Sequence, residues 1–456
     1  MDPFASPHNL DRELHSLLAQ ASSNLCDWFA ESGSQAPMPD SVELPDVYPG
    51  REGVSNNVLL SELKLLMNGS YRPSHPGSLA HLDPPPLSAS IVGELICAGL
   101  NNNLLAEELS PSLSSLERNL CKWFCQRLGL GDSSGGVAAS GGSLSNLMAL
   151  VMARNIAGLE SDPSAVFFAS DDCHVSFLKA LRIMGLKKES LQRIPTDENG
   201  ELKISCLRSS LNKIKSEGKK CFAVVATAGT TVRGAIDPLS EIAQFCQKEK
   251  VWLHVDAAIG GIFGLSPITS EIVKGLGSAD SLTVNPQKLL GIAKTSSLLL
   301  VANKNHLSST FSTGLPYAEP SIGNDFHGGE LGIQGTRSAE SLKLWIGLRQ
   351  LGEDGIDKIL LESIKKRCYL ESIIDSSKFK IISGPLHLMA LTPLNHTSTQ
   401  ASEWSIKTRN YLLANKFMLS RPMYEDTYYL KAVMGNPNTK FDDLKLLANL
   451  INHSII

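Results

Sequence analysis

The feature that most constrains this chain is an alternation running from about residue 90 to 305, in which short apolar runs are separated by stretches of helical period. "AVFFAS" (165–170), "FAVVAT" (222–227), "VWLHVD" (251–256), "SLTVN" (281–285) and "SLLLVA" (297–302) have strand length and look buried on both faces. Amphipathic stretches such as "PLSEIAQFCQKEK" (238–250) separate most of them. The pattern predicts a mainly parallel α/β sheet covered by helices.

The flanks read differently. Residues 1–70 are helical in pattern, with a Pro/Gly-rich interruption at "SGSQAPMPDSVELPDVYPG". "SHPGSLAHLDPPPL" (74–87) must be extended, because each of Pro84, Pro85 and Pro86 restricts the residue before it. Past residue 350, "LGEDGIDKILLESIKKRCYLESII" is a long helix, followed by short strands and a final helix. Three units are therefore expected, in keeping with a length of 456 residues: 1–85, 86–350, and a smaller α+β domain over 351–456.

Composition narrows the function classes. A net charge of −4, with no basic block, argues against nucleic acid or an acidic membrane surface as partner. No apolar run approaches spanning length, and "MDPFASPHNLDRELHS" carries early acids and no apolar leader core, so a cytoplasmic protein is expected. Nine cysteines without a C-x-x-C pair read as scattered buried thiols in a reducing compartment, not as a metal site; Cys121 and Cys125 share an amphipathic helix.

Several polar residues sit at the carboxyl ends of the strand-like runs, where ligands gather in open α/β sheets. Lys288, in "SLTVNPQKLLG", lies between two runs that both look like core, although burying an ammonium is costly. Asp256 closes "VWLHVD" and is followed by Ala257, Ala258, Gly260 and Gly261, which suits a flat cationic group pressed against the backbone. "SGGSLSNLMALVMAR" (140–154) places two glycines and a serine before a helix, a start that offers free N–H groups to a phosphate. His174 follows the strand "AVFFAS". In "ATAGTTVRGAIDPL" (226–239), Asp237 reads as the cap of a helix starting at Pro238.

Together these segments resemble the pyridoxal phosphate-dependent group II amino-acid decarboxylases. The matching segments, in chain order, are "SGGSLSNLMAL", "CHVSFLKA", "TAGTTVRGAIDPL", "WLHVDAAIGG", "NPQK" and "TRSAESLKLWIGLRQLG". "SHPGSLAHLDPPPL" and "GNPNT" resemble the family too, so the likeness covers roughly residues 70–445. Six motifs in one order are far more specific than any one of them. The resemblance implies an aspartate aminotransferase-like fold of type I, with a mainly parallel seven-stranded sheet in a large domain and a small C-terminal α+β domain. It implies an L-amino acid as substrate, pyridoxal 5'-phosphate as cofactor, and a homodimer with sites at the interface, the N-terminal segment packing on the partner.

By the same resemblance Lys288 is the Schiff-base lysine. Asp256 pairs with the pyridine nitrogen, and His174 stacks on one ring face while Ala258 leaves room on the other. Gly142, Ser143, Asn285 and Gln287 hold the phosphate, and Thr227 lines the 3-hydroxyl side. "FSTGLPYAEPSIGNDFHGGELGIQ" (311–334) reads as a long loop closing over the substrate, with Tyr317 as its proton donor. His75, His81 and Arg337 are expected on the substrate side, where the residues leave aspartate, glutamate, 2,4-diaminobutyrate and aromatic amino acids all open. Three positions depart from the family pattern: Gln287 stands for a histidine, Thr336-Arg337 for an Arg-Arg pair, and Lys431 for an arginine. The alternatives are another carbon–carbon lyase on this fold, an aldehyde-forming decarboxylase-deaminase, or a catalytically silent protein that binds the cofactor.

Overall fold

The structure is a computed structural model that describes residues 4–316, 318–319 and 326–454. Its centre is a seven-stranded sheet of β1 (Gly135–Ala139), β2 (Ala165–Ser170), β3 (Leu191–Ile194), β4 (Lys220–Thr227), β5 (Trp252–Asp256), β6 (Ser281–Val284) and β7 (Ser297–Val301), in the order β1-β7-β6-β5-β4-β2-β3. Only β7 runs against its neighbours. β2, β5, β6 and β7 are buried along their whole length, which is why they read as unbroken apolar runs.

Twelve helices accompany the strands among the described residues: α1 (Arg12–Glu31), α2 (Asn56–Asn68), α3 (Ser88–Leu100), α4 (Pro111–Arg127), α5 (Gly142–Ile156), α6 (Ser176–Ile183), α7 (Ile204–Ser216), α8 (Leu239–Glu249), α9 (Asn305–Phe311), α10 (Glu340–Ile373), α11 (Ser398–Ala414) and α12 (Phe441–Asn452). The sheet separates two apolar clusters. One centres on Phe168, Val224, Leu253 and Phe263, the other on Phe167, Phe177, Phe222 and Leu299. Adjacent residues of β2, Phe167 and Phe168, thus enter opposite layers, as the strand period requires. Burying each is worth about 1.5–3 kcal/mol.

β8 (Phe379–Ser383), β9 (Leu388–Pro393) and β12 (Leu430–Val433) form a small antiparallel sheet that packs with α11 and α12 around a third cluster. The hairpin β10 (Met423–Tyr424) and β11 (Thr427–Tyr428) extends this unit. The long helix α10 leads into it and breaks at Gly352, whose φ of 63° is cheap only for glycine.

Two strands have no counterpart in the apolar runs. β1 is "GGVAA", and a Cβ on its Gly136 would lie 2.5 Å from the Leu299 carbonyl, so close packing on β7 requires glycine where strand propensity disfavours it. β3 lies at the sheet edge and carries Gln192 and Arg193. Asp237 differs from its sequence reading. It caps nothing; its two oxygens accept the backbone N–H groups of Thr227 (2.7 Å) and Leu202 (2.8 Å), and α8 starts at Leu239 behind Pro238. Burial raises this carboxyl to about 7. No helix among the described residues is long and apolar enough to cross a membrane.

Candidate active site

β2, β4, β5 and β6 run parallel, so their carboxyl ends lie along one edge of the sheet. A cleft opens there, lined by Gly142, Ser143, Asn146, Asp172, His174, Thr227, Thr230, Thr231, Asp256, Ala258, Ile259, Asn285 and Lys288, with Gly229. All but Asn146, which lies inside α5, follow or end a strand or start a helix, so the sheet geometry brings together residues more than a hundred positions apart.

Lys288 sits in the turn after β6, and its backbone N–H donates to the Asn285 carbonyl at 3.1 Å. Burial lowers its pKa, while the negative charges of Asp256 and Asp83 oppose that shift. A lysine with a lowered pKa exposes a neutral, nucleophilic amine more readily. Asp83 is itself paired to Lys294 at 3.0 Å.

Asp256 is buried, yet both carboxylate oxygens are held. One accepts the Ala258 N–H (3.2 Å), the other the Asn146 amide (2.9 Å). His174 lies half-buried in the cleft wall, its Nδ1 2.9 Å from the Ser176 hydroxyl and 3.2 Å from the Ser176 N–H. Burial lowers its pKa; the Asp256 charge raises it and the Lys288 charge lowers it further.

α5 begins at Gly142 after Gly141, whose φ of 105° turns the chain out of β1. Gly142 and Ser143, at the start of α5, line the cleft beside Asn285, and a helix N-terminus offers backbone N–H groups to an anion. A Cβ on Gly142 would fall 2.8 Å from the Asn285 side-chain nitrogen, so the cradle holds only glycine at its current depth. Asn285 is oriented by the Ser297 hydroxyl, which donates to it at 2.7 Å. The Thr227 hydroxyl lines the cleft, is buried, and has no hydrogen-bond partner.

Gln287, Arg337, His75 and His81 are not among the residues that line the cleft. The Gln287 side-chain oxygen accepts the Ser296 N–H at 2.6 Å and ties the Lys288 turn to the start of β7. Arg337 is committed to a buried ion pair with Glu117 at 3.0 Å and to the Ala138 carbonyl at 3.2 Å. His75 is buried and accepts the Gly77 N–H at 2.9 Å. His81 is exposed and packs edge-on against Tyr71, with ring centroids 6.2 Å apart. Tyr317 lies outside the described residues.

Three residues at or near the cleft carry no sequence signal of their own, and a fourth, Lys431, shows in the sequence only as a departure from the family pattern. Asn146 is hidden in an ordinary helix pattern, and His254 in an apolar strand. Asp172 lines the cleft and accepts the Tyr424 hydroxyl of the β10–β11 hairpin. Lys431 is buried in β12, with its ammonium 3.3 Å from the carbonyl of the cleft residue Thr231; burial and the Lys288 charge push it down to about 8.

Comparison with known proteins places the chain in a family. Residues 43–391 match the model described as the pyridoxal-dependent decarboxylase conserved domain. The chain is 31% identical over 380 residues to an aromatic-L-amino-acid decarboxylase of Bacillus atrophaeus, covering 81% of this chain and 79% of that one. It is 27% identical over 443 residues to an L-2,4-diaminobutyrate decarboxylase of Rhizobium meliloti (strain 1021), covering 95% and 88%. Its fold matches the crystal structure of Oryza sativa TDC with PLP and tryptamine at a TM-score of 0.91 and 21% identity, over 99% of both chains. Mouse CSAD in apo form superposes at 0.89 with 24% identity, over 97% of this chain and 98% of that one. With three-quarters of its length inside the family model, the chain belongs to the pyridoxal-dependent decarboxylase family.

Proposed function

We propose that this enzyme converts an L-amino acid to the corresponding amine and carbon dioxide, with Lys288 as the amine that holds pyridoxal phosphate covalently. One observation carries the reading: a desolvated lysine, a strand-end carboxylate and a helix N-terminus converge in a single cleft. The residues present fit the cofactor. The Gly142 cradle has the depth that a Cβ would fill, and the buried Thr227 hydroxyl has no partner. When bound, the cofactor supplies an electron sink for the pair left as carbon dioxide departs.

The chain's own residues then orient and stabilise. Gly142, Ser143 and Asn285 would hold the phosphate, with Gln287 acting indirectly through Ser296. The Asp256 carboxylate would keep a proton on the ring nitrogen, His174 would cover one face, and Ala258 would leave room at the other. Thr227 would meet the 3-hydroxyl. We assign to Tyr317 the delivery of a proton to the substrate Cα. His81, on which the charges of Lys431 and Asp83 act, is placed on the substrate side, with His75 shaping the segment that carries it.

We also infer a homodimer. α1 buries none of its residues, and Leu14 and Leu18 on α1, Val58 and Leu63 on α2, and Leu95 and Ile96 on α3 are exposed. Helices this apolar on an open face call for a second copy. The break at Gly352 supports ending the large domain near residue 350, and an N-terminal unit over 1–85 holds the helices offered to the partner. A cytoplasmic location accords with nine free cysteines.

The test is a panel of aspartate, glutamate, 2,4-diaminobutyrate and aromatic amino acids, assayed for amine, carbon dioxide, ammonia and aldehyde. One amine released with carbon dioxide and without ammonia is expected. Aldehyde with ammonia, or no turnover of any amino acid, would overturn the reading.

A further inference from the structure

The Asn146 amide touches Asp256 directly and reaches His174 through Ser176, and these are the two residues that would contact the cofactor ring. Its Nδ2 lies 2.9 Å from Asp256 Oδ2 and 3.0 Å from Ser176 Oγ, and Ser176 Oγ is 2.9 Å from His174 Nδ1. Its Oδ1 is 3.0 Å from His254 Nε2. His254 Nδ1 lies 2.9 Å from Ser281 Oγ, which is also 2.9 Å from Trp252 Nε1. Trp252, His254 and Asp256 alternate along β5 and so share one face of the sheet.

The direction of every hydrogen bond in this chain follows from its ends. Indole N–H can only donate, so Ser281 Oγ accepts from Trp252. At the other end Asn146 Oδ1 can only accept, so His254 Nε2 must donate, and in the neutral ring Nδ1 accepts the Ser281 hydroxyl proton. His254 Nδ1 is then an acceptor, and the ring proton sits on Nε2, donated to Asn146 Oδ1. The Asn146 nitrogen must face Asp256, because the reversed amide would set oxygen against a carboxylate. Its second N–H goes to Ser176 Oγ, whose proton goes to His174 Nδ1. All donors therefore point toward the cofactor cleft, and none of these buried groups is left unpaired.

We propose that Asn146 and His254 are positioning residues: neutral His254, in its Nε2–H form, locks the Asn146 amide, which holds Asp256 in place as an ionised acceptor and sets the His174 ring in register with it. Burial, which lowers the His254 pKa to about 4, keeps the ring neutral at physiological pH. Protonating it would give Nδ1 a hydrogen and leave the Ser281 proton without an acceptor. The proposal rests on the cofactor reading above and adds what fixes the carboxylate.

The test reads the apo-protein first. Histidine-selective nitrogen NMR of the full chain without cofactor should show His254 as the Nε2–H tautomer at pH 7.5; an Nδ1–H tautomer or an imidazolium overturns the proposal. His254→Leu should then weaken pyridoxal phosphate binding about tenfold or more, whereas His254→Gln, which can still donate to Asn146, should stay within about threefold. Should the leucine variant fail to fold, Asn146→Ala, which removes the acceptor of the Nε2 proton, should mix the His254 tautomers in a folded apo-protein. A folded leucine variant with unchanged cofactor affinity, or an alanine variant with an unmixed tautomer, contradicts the proposal. Borohydride labelling of Lys288 reports on the cofactor reading alone, so the two failures are distinguishable.

Discussion

The hydroxyl of Tyr424 donates to a carboxylate oxygen of Asp172 at 2.8 Å, joining the hairpin of the small unit to the wall of the cofactor cleft. Burial raises the Asp172 carboxyl, and burial together with this contact pushes the Tyr424 phenol above its usual range. Removing the hydroxyl leaves a half-buried carboxylate with one donor fewer. Tyr424→Phe should lower stability at pH 8 by about 1–2 kcal/mol in urea titrations. Asp172→Asn, which keeps an acceptor, should cost less.

Gly142→Ala tests the phosphate cradle. The added methyl would press on the Asn285 side chain, so Asn285 must shift or the helix start must retreat. Cofactor affinity should fall by about tenfold or more, equivalent to about 1.4 kcal/mol, with the fold intact by circular dichroism. Unchanged affinity by fluorescence titration would place the phosphate elsewhere.

Arg337 should behave as a structural residue. Its guanidinium and the Glu117 carboxylate are both nearly inaccessible, and breaking a buried pair costs about 3–5 kcal/mol because one charge is left alone. Arg337→Met should therefore lower the melting temperature strongly. A rise in KM with no loss of stability would restore Arg337 to the substrate side.

Acid sensitivity should trace to buried neutral histidines. His387 is fully buried against Phe263 with neither ring nitrogen hydrogen-bonded, and burial, with the charges of Lys288 and Lys431 adding, pushes it down to about 3. Above pH 6.5 both folded and unfolded states hold it neutral. As pH falls below 6.5 the unfolded chain binds the proton first, so stability is lost until pH nears 3. His387→Leu should recover about 2 kcal/mol of the stability lost between pH 7.5 and 5. An unaltered pH dependence would show that the ring finds a partner when protonated.

The sequence announced what periodicity and strand-end placement encode. The fully buried strands, the parallel sheet and the cleft residues Lys288, Asp256 and His174 all sit where an apolar run stops, and a polar residue at such a stop is conspicuous. β1 escaped because close packing against β7 demands glycine, which erases the strand signature. Asn146 and His254 escaped for the opposite reason: each occupies an interior position of a regular element, and its importance lies in a partner 108 residues away. Arg337 is ambiguous in the sequence because a motif shows that a guanidinium is present but not which carboxylate claims it. Glu117, on α4, gives no hint of the pairing.

The most direct test of the central claim is covalent. The purified holoenzyme is reduced with borohydride, digested, and mapped by mass spectrometry. The pyridoxyl group is expected on Lys288, in the peptide spanning "SLTVNPQK", with Lys288→Ala giving no tagged peptide. A tag on any other lysine, or none on the wild-type chain, would contradict the account.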